Sequence, residues 1–305
     1  MHFSYRFEDS NYMNRQRMLV VGASGFLGVY AVQAAISTDA FEVIRGDCAG
    51  TGQEGTEEMD ISDASSVDAV FRKTRPDLVL LLAAMSDIDQ CEMSPEKAFS
   101  INARGAESVA NACARANARM LFTSSAAVFD GTKHGYSEED AATPLSVYGK
   151  TKLRAENAVK DLMPSAVILR MALVLGFARK SGTNAMLDRV LEKWKAGEPL
   201  FFSTREERNP IDAASLSKIM IDMLAERELS GIYHVGALDC ISRYELGLRL
   251  AARAGVSTEL VRPQDDQVPG RALRGEHHFL LTDKIRRDCG LELGSSDQVI
   301  ERCFS

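Results

Sequence analysis

A glycine-rich run near the start of the 305-residue chain constrains the fold more than any other stretch. Three glycines, Gly22, Gly25 and Gly28, recur at three-residue spacing directly after the apolar residues 18–21. Such a run predicts a strand that turns tightly into a helix, whose positive N-terminus and backbone N–H groups bind a phosphate. We therefore expect a phosphate group to lie over this turn.

Short β-rich runs alternate with helical patterns over the first 170 residues, which predicts right-handed crossovers and a doubly wound parallel sheet. The apolar residues 78–82 show no polar alternation, as expected for a strand that is covered on both faces. The predicted strands are residues 18–21, 41–44, 77–82, 120–122, 166–169 and 231–235. The predicted helices are residues 26–37, 66–74, 95–116, 147–162, 185–196 and 216–224, and another begins at Ser242.

The predicted fold class is α/β, a Rossmann-type doubly wound parallel sheet with a smaller C-terminal substrate-binding lobe. Residues 1–17 are expected to form a loosely ordered extension, and residues 18–170 an NAD(P)-binding domain. Residues 171–305 are expected to form mainly the substrate-binding lobe, interleaved with the first domain. We expect this lobe to lie over the carboxyl ends of the strands, where ligands of such sheets bind.

Charge and composition exclude several classes of partner. The formal net charge is −7, and residues of both signs are interspersed without a basic stripe, so no nucleic-acid partner is expected. There is no apolar run long enough to cross a membrane and no signal-peptide pattern. Six cysteines without a C-x-x-C pair are typical of reduced thiols. These features predict a cytoplasmic protein with no membrane partner.

A second motif follows far along the chain. Tyr148 and Lys152 lie four residues apart on a predicted helix, and therefore on one face. A neighbouring cation stabilises a phenolate, so we expect Lys152 to lower the pKa of Tyr148 from its ordinary value of about 10. The preceding strand ends in Ser124 and Ser125. We expect Ser125, Tyr148 and Lys152 to converge where a substrate carbonyl faces the cofactor ring.

Together, these motifs resemble the extended short-chain dehydrogenase/reductase family, and within it the dTDP-4-dehydrorhamnose reductases and related sugar-nucleotide reductases. The likeness covers nearly the whole chain. The stretches that carry it are residues 22–28, 59–61, 82–84, 88–92, 101–105, 128–132, 136–140, 144–153, 208–212 and 242–246. The resemblance implies a nicotinamide dinucleotide as cofactor and a 4-keto sugar nucleotide as substrate, reduced by hydride transfer.

The resemblance also implies roles for individual residues. Tyr148 would donate a proton to the developing alkoxide, Ser125 would polarise the carbonyl, and Lys152 would also bind the nicotinamide ribose. Asn102 would support Lys152 or the active-site backbone. The residues expected to contact the cofactor are Gly22, Ser24, Gly25, Phe26, Leu27, Gly28, Arg45, Asp47, Asp60, Ile61, Ala83, Ala84, Met85, Tyr148 and Lys152. Those expected to contact the substrate are Ser86, Ser125, Ala126, Arg208 and Arg271.

The chain departs from these reductases at Ala126 and Ala127, where the group usually has an acid and a tyrosine. Met85 stands where an aromatic residue is common. The contacts to the sugar are therefore expected to differ. Sugar-nucleotide 4,6-dehydratases place an acidic pair directly after the catalytic hydroxyl, and two alanines cannot supply the acid and base that elimination of water requires. The sequence thus argues against a dehydratase.

The choice between NAD(H) and NADP(H) depends on the end of the second strand. Asp47 lies near the position at which a carboxylate binds the ribose 2′-hydroxyl and repels a 2′-phosphate. Arg45 could instead pair with that phosphate. Because related reductases often use NADPH, NADP(H) is slightly favoured over NAD(H).

Other charged residues have competing interpretations. Four arginines suit a nucleotide diphosphate by their guanidinium geometry, although ordinary ion pairing explains each equally well. They are Arg208, Arg243, Arg271 and Arg274. His277 and His278 have no third ligand at a telling spacing, so both are expected to be solvated loop residues, and no metal site is predicted. His234 lies in an apolar strand pattern and is expected in the core.

Two other functions would use the same sequence features. A sugar-nucleotide epimerase would use the same three residues with a tightly held NAD that is regenerated in each cycle. A non-catalytic dinucleotide-binding module is a hypothesis of another class, because the regulatory subunit of methionine adenosyltransferase shares the resemblance. The expected partner is a small-molecule nucleotide-sugar substrate, and the sequence leaves the oligomeric state open, with a homodimer as one option.

Overall fold

A computed structural model of the chain describes residues 15–48, 55–179, 185–266 and 270–305. The strands are β1 (Gln16–Val21), β2 (Phe41–Asp47), β3 (Thr56–Glu58), β4 (Leu78–Leu81), β5 (Arg119–Ser125), β6 (Val167–Met171), β7 (Leu173–Leu175), β8 (Leu200–Phe202), β9 (Glu207–Arg208), β10 (Pro210–Asp212), β11 (Gly231–Val235), β12 (Ile241–Ser242), β13 (Val261–Pro263) and β14 (His277–His278). The α-helices are α1 (Phe26–Ser37), α2 (Ala64–Thr74), α3 (Ile88–Met93), α4 (Pro95–Ala98), α5 (Gly105–Ala116), α6 (Val147–Leu162), α7 (Met186–Lys195), α8 (Ala213–Ala225), α9 (Arg243–Arg253), α10 (Asp283–Cys289) and α11 (Ser296–Phe304).

Seven parallel strands form the central sheet, in the order β11-β6-β5-β4-β1-β2-β3. Residues of α1 and α8 pack on one face of this sheet, and residues of α2, α5 and α6 pack on the other. The strand order reverses between β1 and β4, which is where ligands bind in doubly wound sheets. The predicted Rossmann-type α/β fold is therefore confirmed.

The middle strands are buried on both faces. Met18 and Val20 of β1 pack into the core beneath α1, whereas Leu19 and Val21 pack into the core beneath α2 and α5. All four residues of Leu78–Leu81 are buried as well. Full burial of one such side chain stabilises the fold by about 1.5–3 kcal/mol. This double burial explains why both strands are continuous apolar runs without polar alternation.

The boundaries of several elements differ from the prediction. α1 and α6 have the predicted bounds, but β1 begins at Gln16 because its ladder with β2 starts with the Gln16–Phe41 pair. Residues 1–14 of the predicted extension lie outside the described residues. A π-helical turn at Phe99–Arg104 interrupts the helix predicted over residues 95–116. β3 and α3 are too short for their periodicity to indicate them.

The elements β7, β8, β12, β13, α7, α9 and α11 surround a separate core and form a small lobe, which β9, β10 and β14 join by strand pairing. Trp194, Leu246, Leu250 and Ile300 are buried in its core. The chain does not divide cleanly at residue 170, because α8 packs against α1 and β11 pairs with β6 in the central sheet. The predicted domain boundaries, and the binding of substrate by the small lobe, stay predictions.

Two observations concern the environment of the protein. Within the described ranges, no helix combines the length and the apolar character needed to cross a membrane. All six cysteines are free thiols. Cys91 and Cys289 are buried, and burial raises the pKa of each thiol to about 11. These two thiols therefore stay protonated and unreactive at neutral pH.

Two buried histidines connect the sheet and small lobe to the loop after β5. His234 of β11 is 0% exposed, and its Nδ1 donates a hydrogen bond to the Tyr136 carbonyl at 3.2 Å. His278 of β14 is 5% exposed, and its Nε2 donates to the Phe129 carbonyl at 3.1 Å. Burial lowers the pKa of both imidazoles to about 3. His278 is therefore a buried residue, and its predicted place in a solvated loop is wrong.

We expect the protein to lose stability on mild acidification. An unfolded histidine titrates near pH 6.5, so between about pH 6.5 and 3 the unfolded state binds more protons, and stability falls as the pH falls. Between about pH 7.5 and 5.5, each buried histidine lowers the free energy of unfolding by about 1.4 kcal/mol. In His278→Gln, which keeps an N–H donor, the free energy of unfolding should fall by about 1.4 kcal/mol less over this pH range. Denaturant unfolding at several pH values measures the difference. An equal decrease in the free energy of unfolding in the variant and the unmodified protein would contradict the assignment of His278 as a buried, neutral histidine.

Candidate active site

A cavity of about 630 Å³ lies at the carboxyl ends of β1, β4 and β5. Nearly all residues that the sequence assigned to the cofactor line it. They are Gly22, Ser24, Gly25, Phe26, Leu27, Gly28, Asp47, Asp60, Ile61, Ala83, Ala84, Met85, Tyr148 and Lys152. Ser86 and Ser125, which were assigned to the substrate, line the same cavity. The structure therefore brings the two sequence motifs together in one site, at the reversal of strand order.

The turn from β1 into α1 forms one end of this cavity. Gly25 is the N-cap residue of α1, so no side chain of its own covers the helix N-terminus. A Cβ atom on Gly28 would lie 2.0 Å from the Gly22 carbonyl oxygen, so only glycine lets α1 start this close to β1. The exposed backbone N–H groups and the helix dipole suit an anion such as a pyrophosphate.

A second cavity, of about 240 Å³, adjoins the main cavity at Asp47. Asp47 is 7% exposed, and its Oδ2 accepts a hydrogen bond from the Ser24 N–H at 2.7 Å. Arg45, Thr56 and Arg179 line this second cavity. Among the residues that the structure describes, the Thr56 hydroxyl is buried without a hydrogen-bond partner. Arg45 thus lies beside the main cavity rather than in it.

The first turn of α6 carries Tyr148, and Lys152 follows one turn later. The helix begins here because Ser146 Oγ accepts a hydrogen bond from the Gly149 N–H at 3.1 Å. A Cβ atom on Gly149 would lie 2.1 Å from the Ala127 carbonyl oxygen. Glycine at this position therefore lets α6 pack directly on the turn that follows β5, which brings Tyr148 to the end of that strand.

Ser125 ends β5, and its Oγ accepts a hydrogen bond from the Ala127 N–H at 3.1 Å, so its O–H remains a donor. Burial raises the pKa of Tyr148 to about 12, although a hydrogen bond with Ser125 opposes the rise. Lys152 is 3% exposed, its Nζ lies 4.2 Å from the centroid of the Phe122 ring, and burial lowers its pKa to about 8. The pKa of Tyr148 is thus raised rather than lowered as predicted, because loss of water around the phenol outweighs any lowering by neighbouring groups.

Asn102 lies behind the cavity in the π-helical turn and is 2% exposed. Its Oδ1 accepts a hydrogen bond from the Met85 N–H at 2.7 Å, and its Nδ2 donates to the Met85 carbonyl at 3.0 Å. The same Nδ2 donates to Thr151 Oγ1 at 3.1 Å. Of the two supporting roles expected for Asn102, the structure shows the one toward the backbone, which Asn102 ties to α6.

A smaller cavity, of about 60 Å³, also begins at Ser125, and Ala126 and Arg208 line it. The Arg208 guanidinium is buried and donates to the carbonyl oxygens of Gly275 at 3.1 Å and Glu276 at 2.9 Å. Burial lowers the pKa of Arg208 to about 10, so it stays charged at neutral pH. This side of the site therefore combines a cation with an alanine that has neither charge nor hydroxyl.

Arg271, which was predicted to contact the substrate, does not line the cavity at Ser125. It lines a fourth cavity, of about 240 Å³, and pairs with Glu206 at 2.9 Å. Arg274 lines both this cavity and the one at Ser125, and it pairs with Asp89 at 2.9 Å. Direct contact between Arg271 and a reacting sugar is thus not supported, since its guanidinium is already paired at a neighbouring site.

Several residues that line the main cavity escaped the sequence analysis. Lys97 adds a cation to the cavity wall, and Ile101 lies four residues later on the same wall. Helical spacing through this region could have indicated both. Met171, Ala172 and Val174 line the cavity where β6 ends. The rule that ligands bind at the carboxyl ends of parallel strands could have indicated these three.

The doubly wound sheet, the glycine turn and the grouping of Ser125, Tyr148 and Lys152 define an extended short-chain dehydrogenase/reductase. The model of the RmlD substrate binding domain family matches residues 16–305. The chain belongs to this family.

Individual relatives cover most of the chain. A dTDP-4-dehydrorhamnose reductase from Aggregatibacter actinomycetemcomitans is 29% identical over 240 residues, which are 77% of this chain and 78% of the relative. Methionine adenosyltransferase 2 subunit beta from Xenopus tropicalis is 28% identical over 276 residues, 89% and 82% of the two chains. The crystal structure of a dTDP-4-dehydrorhamnose reductase from Bacillus anthracis in complex with NADP superimposes with a TM-score of 0.85 at 25% identity, covering 97% and 99%.

Proposed function

We propose that the protein is an NAD(P)H-dependent reductase of a 4-keto sugar nucleotide, similar in reaction to the dTDP-4-dehydrorhamnose reductases. One observation carries the proposal: a single cavity has the glycine turn at one end and holds Ser125, Tyr148 and Lys152. Its volume of about 630 Å³ lies in the range of cofactor and small-molecule sites. The residues therefore fit a dinucleotide whose reactive ring lies beside the three polar side chains.

The three side chains divide the chemistry of reduction. A bound nicotinamide dinucleotide would supply the hydride. Ser125 donates its O–H to the substrate carbonyl oxygen and polarises the bond. Because the pKa of Tyr148 is raised, Tyr148 is protonated at neutral pH and gives its proton to the oxygen that becomes the product hydroxyl. Lys152 is charged below about pH 8, and its cation stabilises the phenolate that remains.

The alternatives use the same site differently. An epimerase would oxidise and re-reduce a sugar without net consumption of NADPH. A regulatory subunit would bind a dinucleotide without turnover, and the likeness to methionine adenosyltransferase 2 subunit beta is the observation behind this hypothesis. The presence of Ser125, Tyr148 and Lys152 in one cavity favours an enzyme.

The proposal is tested by incubating the purified protein with NADPH and a dTDP-4-keto-6-deoxyhexose while NADPH absorbance is recorded. A reductase consumes one NADPH for each sugar reduced. Interconversion of sugars without net NADPH consumption would favour the epimerase. Binding of dinucleotide without turnover of any keto sugar would favour the regulatory module.

We further propose that the protein prefers NADPH to NADH. Support comes from the second cavity, whose lining residues Arg45, Arg179 and Thr56 carry two guanidinium groups and a hydroxyl. These groups are hydrogen-bond donors, and guanidinium forks suit the oxygens of a 2′-phosphate. The Asp47 carboxylate lines the same cavity and accepts a hydrogen bond from the Ser24 N–H, which holds it against the glycine turn.

Replacement of Arg45 by glutamine should weaken NADPH binding selectively. A charge-assisted hydrogen bond contributes about 1.5–3 kcal/mol, so the Kd for NADPH should rise about 10-fold to 100-fold while that for NADH changes little. Fluorescence titration of both cofactors measures the ratio. Arg72→Gln, at an exposed position on α2, is the matched control. If Arg45→Gln weakened the binding of NADPH and NADH equally, the assignment of Arg45 to the 2′-phosphate would be contradicted.

A further inference from the structure

Three potential metal ligands meet at the surface, outside the cavities described above. One ligand atom from each of His134, Glu207 and His277 lies within 4.8 Å of the other two. Nδ1 of His277 lies 2.8 Å from Oε2 of Glu207, and Nδ1 of His134 lies 3.9 Å from the same oxygen. The centroids of the two imidazole rings are 3.9 Å apart. Two imidazoles and one carboxylate thus face a common point.

The backbone fixes these residues from three parts of the chain. β9 and β14 pair so that Glu207 lies opposite His277. The His277 N–H donates to the Gly131 carbonyl at 3.0 Å, which joins this pair to the loop that contains His134. Main-chain hydrogen bonds therefore bring Glu207, His277 and the loop of His134 together without the ion pair between Glu207 and His277.

We propose that His134, Glu207 and His277 form a binding site for a divalent transition metal, of which Zn²⁺ is the probe. Two imidazoles with one carboxylate are a ligand set that zinc uses with an open fourth position. Tetrahedral zinc with bonds of about 2.0–2.1 Å separates its ligand atoms by about 3.3 Å. This separation lies between the 2.8 Å and 3.9 Å found here. The His134 side chain is 81% exposed, which leaves room for a water as the fourth ligand.

The position of the site gives it a structural consequence. His134 belongs to the loop after β5, whereas Glu207 and His277 belong to the small lobe. Their chain neighbours Arg208 and His278 line the cavity at Ser125. A bound metal therefore links the loop to the small lobe beside that cavity. Because the metal binds the folded arrangement, it stabilises the protein in proportion to its concentration over its Kd.

Calorimetric titration of untagged protein with Zn²⁺ alone tests the proposal, with thermal unfolding as a second measurement. We expect one Zn²⁺ per chain and a rise in Tm that depends on zinc concentration. His134→Asn and Glu207→Gln should each weaken binding by at least about tenfold. Glu276→Gln is the matched control, since Glu276 is a nearby half-exposed carboxylate that pairs with Arg205 outside the ligand set.

The comparison of variants decides the outcome, because other histidines and thiols are unchanged in all of them. Affinities of His134→Asn and Glu207→Gln within about twofold of Glu276→Gln would overturn the site, as would the absence of saturable binding. A simple ion pair between His277 and Glu207 predicts either of those results. The proposal is supported if only His134→Asn and Glu207→Gln lose zinc affinity while their Tm without zinc is unchanged.

Discussion

Replacing Tyr148 by phenylalanine is expected to lower kcat for keto-sugar reduction by about 10²–10⁴, the usual contribution of a positioned acid or base. The loss should fall on kcat, because the phenol acts only when the substrate oxygen gains charge. Tyr148 holds its proton at neutral pH, since burial raises its pKa to about 12. It is thus a proton donor in the reductive direction, and its removal leaves the developing alkoxide without a proton source at that position.

Two controls separate this effect from a general disturbance. The Kd for dinucleotide should stay within about threefold in Tyr148→Phe, because the glycine turn and the Asp47 region are unchanged. Tyr244→Phe removes a phenol hydroxyl from α9, where the ring packs on the core of the small lobe. That variant should retain the activity of the unmodified protein. If Tyr148→Phe turned over at nearly the rate of the unmodified protein, Tyr148 would not be the proton donor.

Replacing Lys152 by methionine should lower kcat/KM by about 10²–10³ at pH 7, the usual loss on removing a group that stabilises developing charge. In the unmodified protein, burial lowers the pKa of Lys152 to about 8, and Glu156 opposes the shift. Lys152 is therefore charged below about pH 8 and loses its charge above it. Reductive kcat/KM should fall as the pH rises through about 8, although Tyr148 keeps its proton.

The pH profile of the variant identifies the group that titrates. Since kcat/KM reports groups of the free enzyme, Lys152→Met should show no decline between pH 7 and 9. Lys150→Met changes an exposed lysine of the same helix and should keep the profile of the unmodified protein. A decline near pH 8 that persists in Lys152→Met would show that another group titrates.

The fold could be predicted because its signals are local and repeated. The apolar run of β4 and the glycine turn report burial and close packing directly, and α1 and α6 have the predicted bounds. The short strands of the small lobe could not be predicted, because two or three residues carry no periodicity. Their pairing depends on contacts between segments far apart in the chain, as in the β12-β9-β14 sheet.

The candidate site likewise has features that the sequence predicts and features that it does not. The end of the strand before Ser125, the four-residue spacing of Tyr148 and Lys152, and the family resemblance together predicted one site, and all three residues line one cavity. Their pKa shifts could not be predicted, because these depend on how much water the surrounding side chains remove. The cluster of His134, Glu207 and His277 could not be predicted for another reason. Its residues come from one loop and two strands that are far apart in the sequence.

The proposed reaction transfers hydride to a sugar carbonyl and protonates the oxygen formed. Its most direct test supplies NADPH deuterated at the transferring position, together with a dTDP-4-keto-6-deoxyhexose, and measures the label in the sugar by mass spectrometry. We expect one deuterium at the former carbonyl carbon for each NADPH oxidised, and a rate of label transfer lower by about 10²–10⁴ in Tyr148→Phe. Unlabelled sugar, with the dinucleotide bound and unchanged, would contradict it.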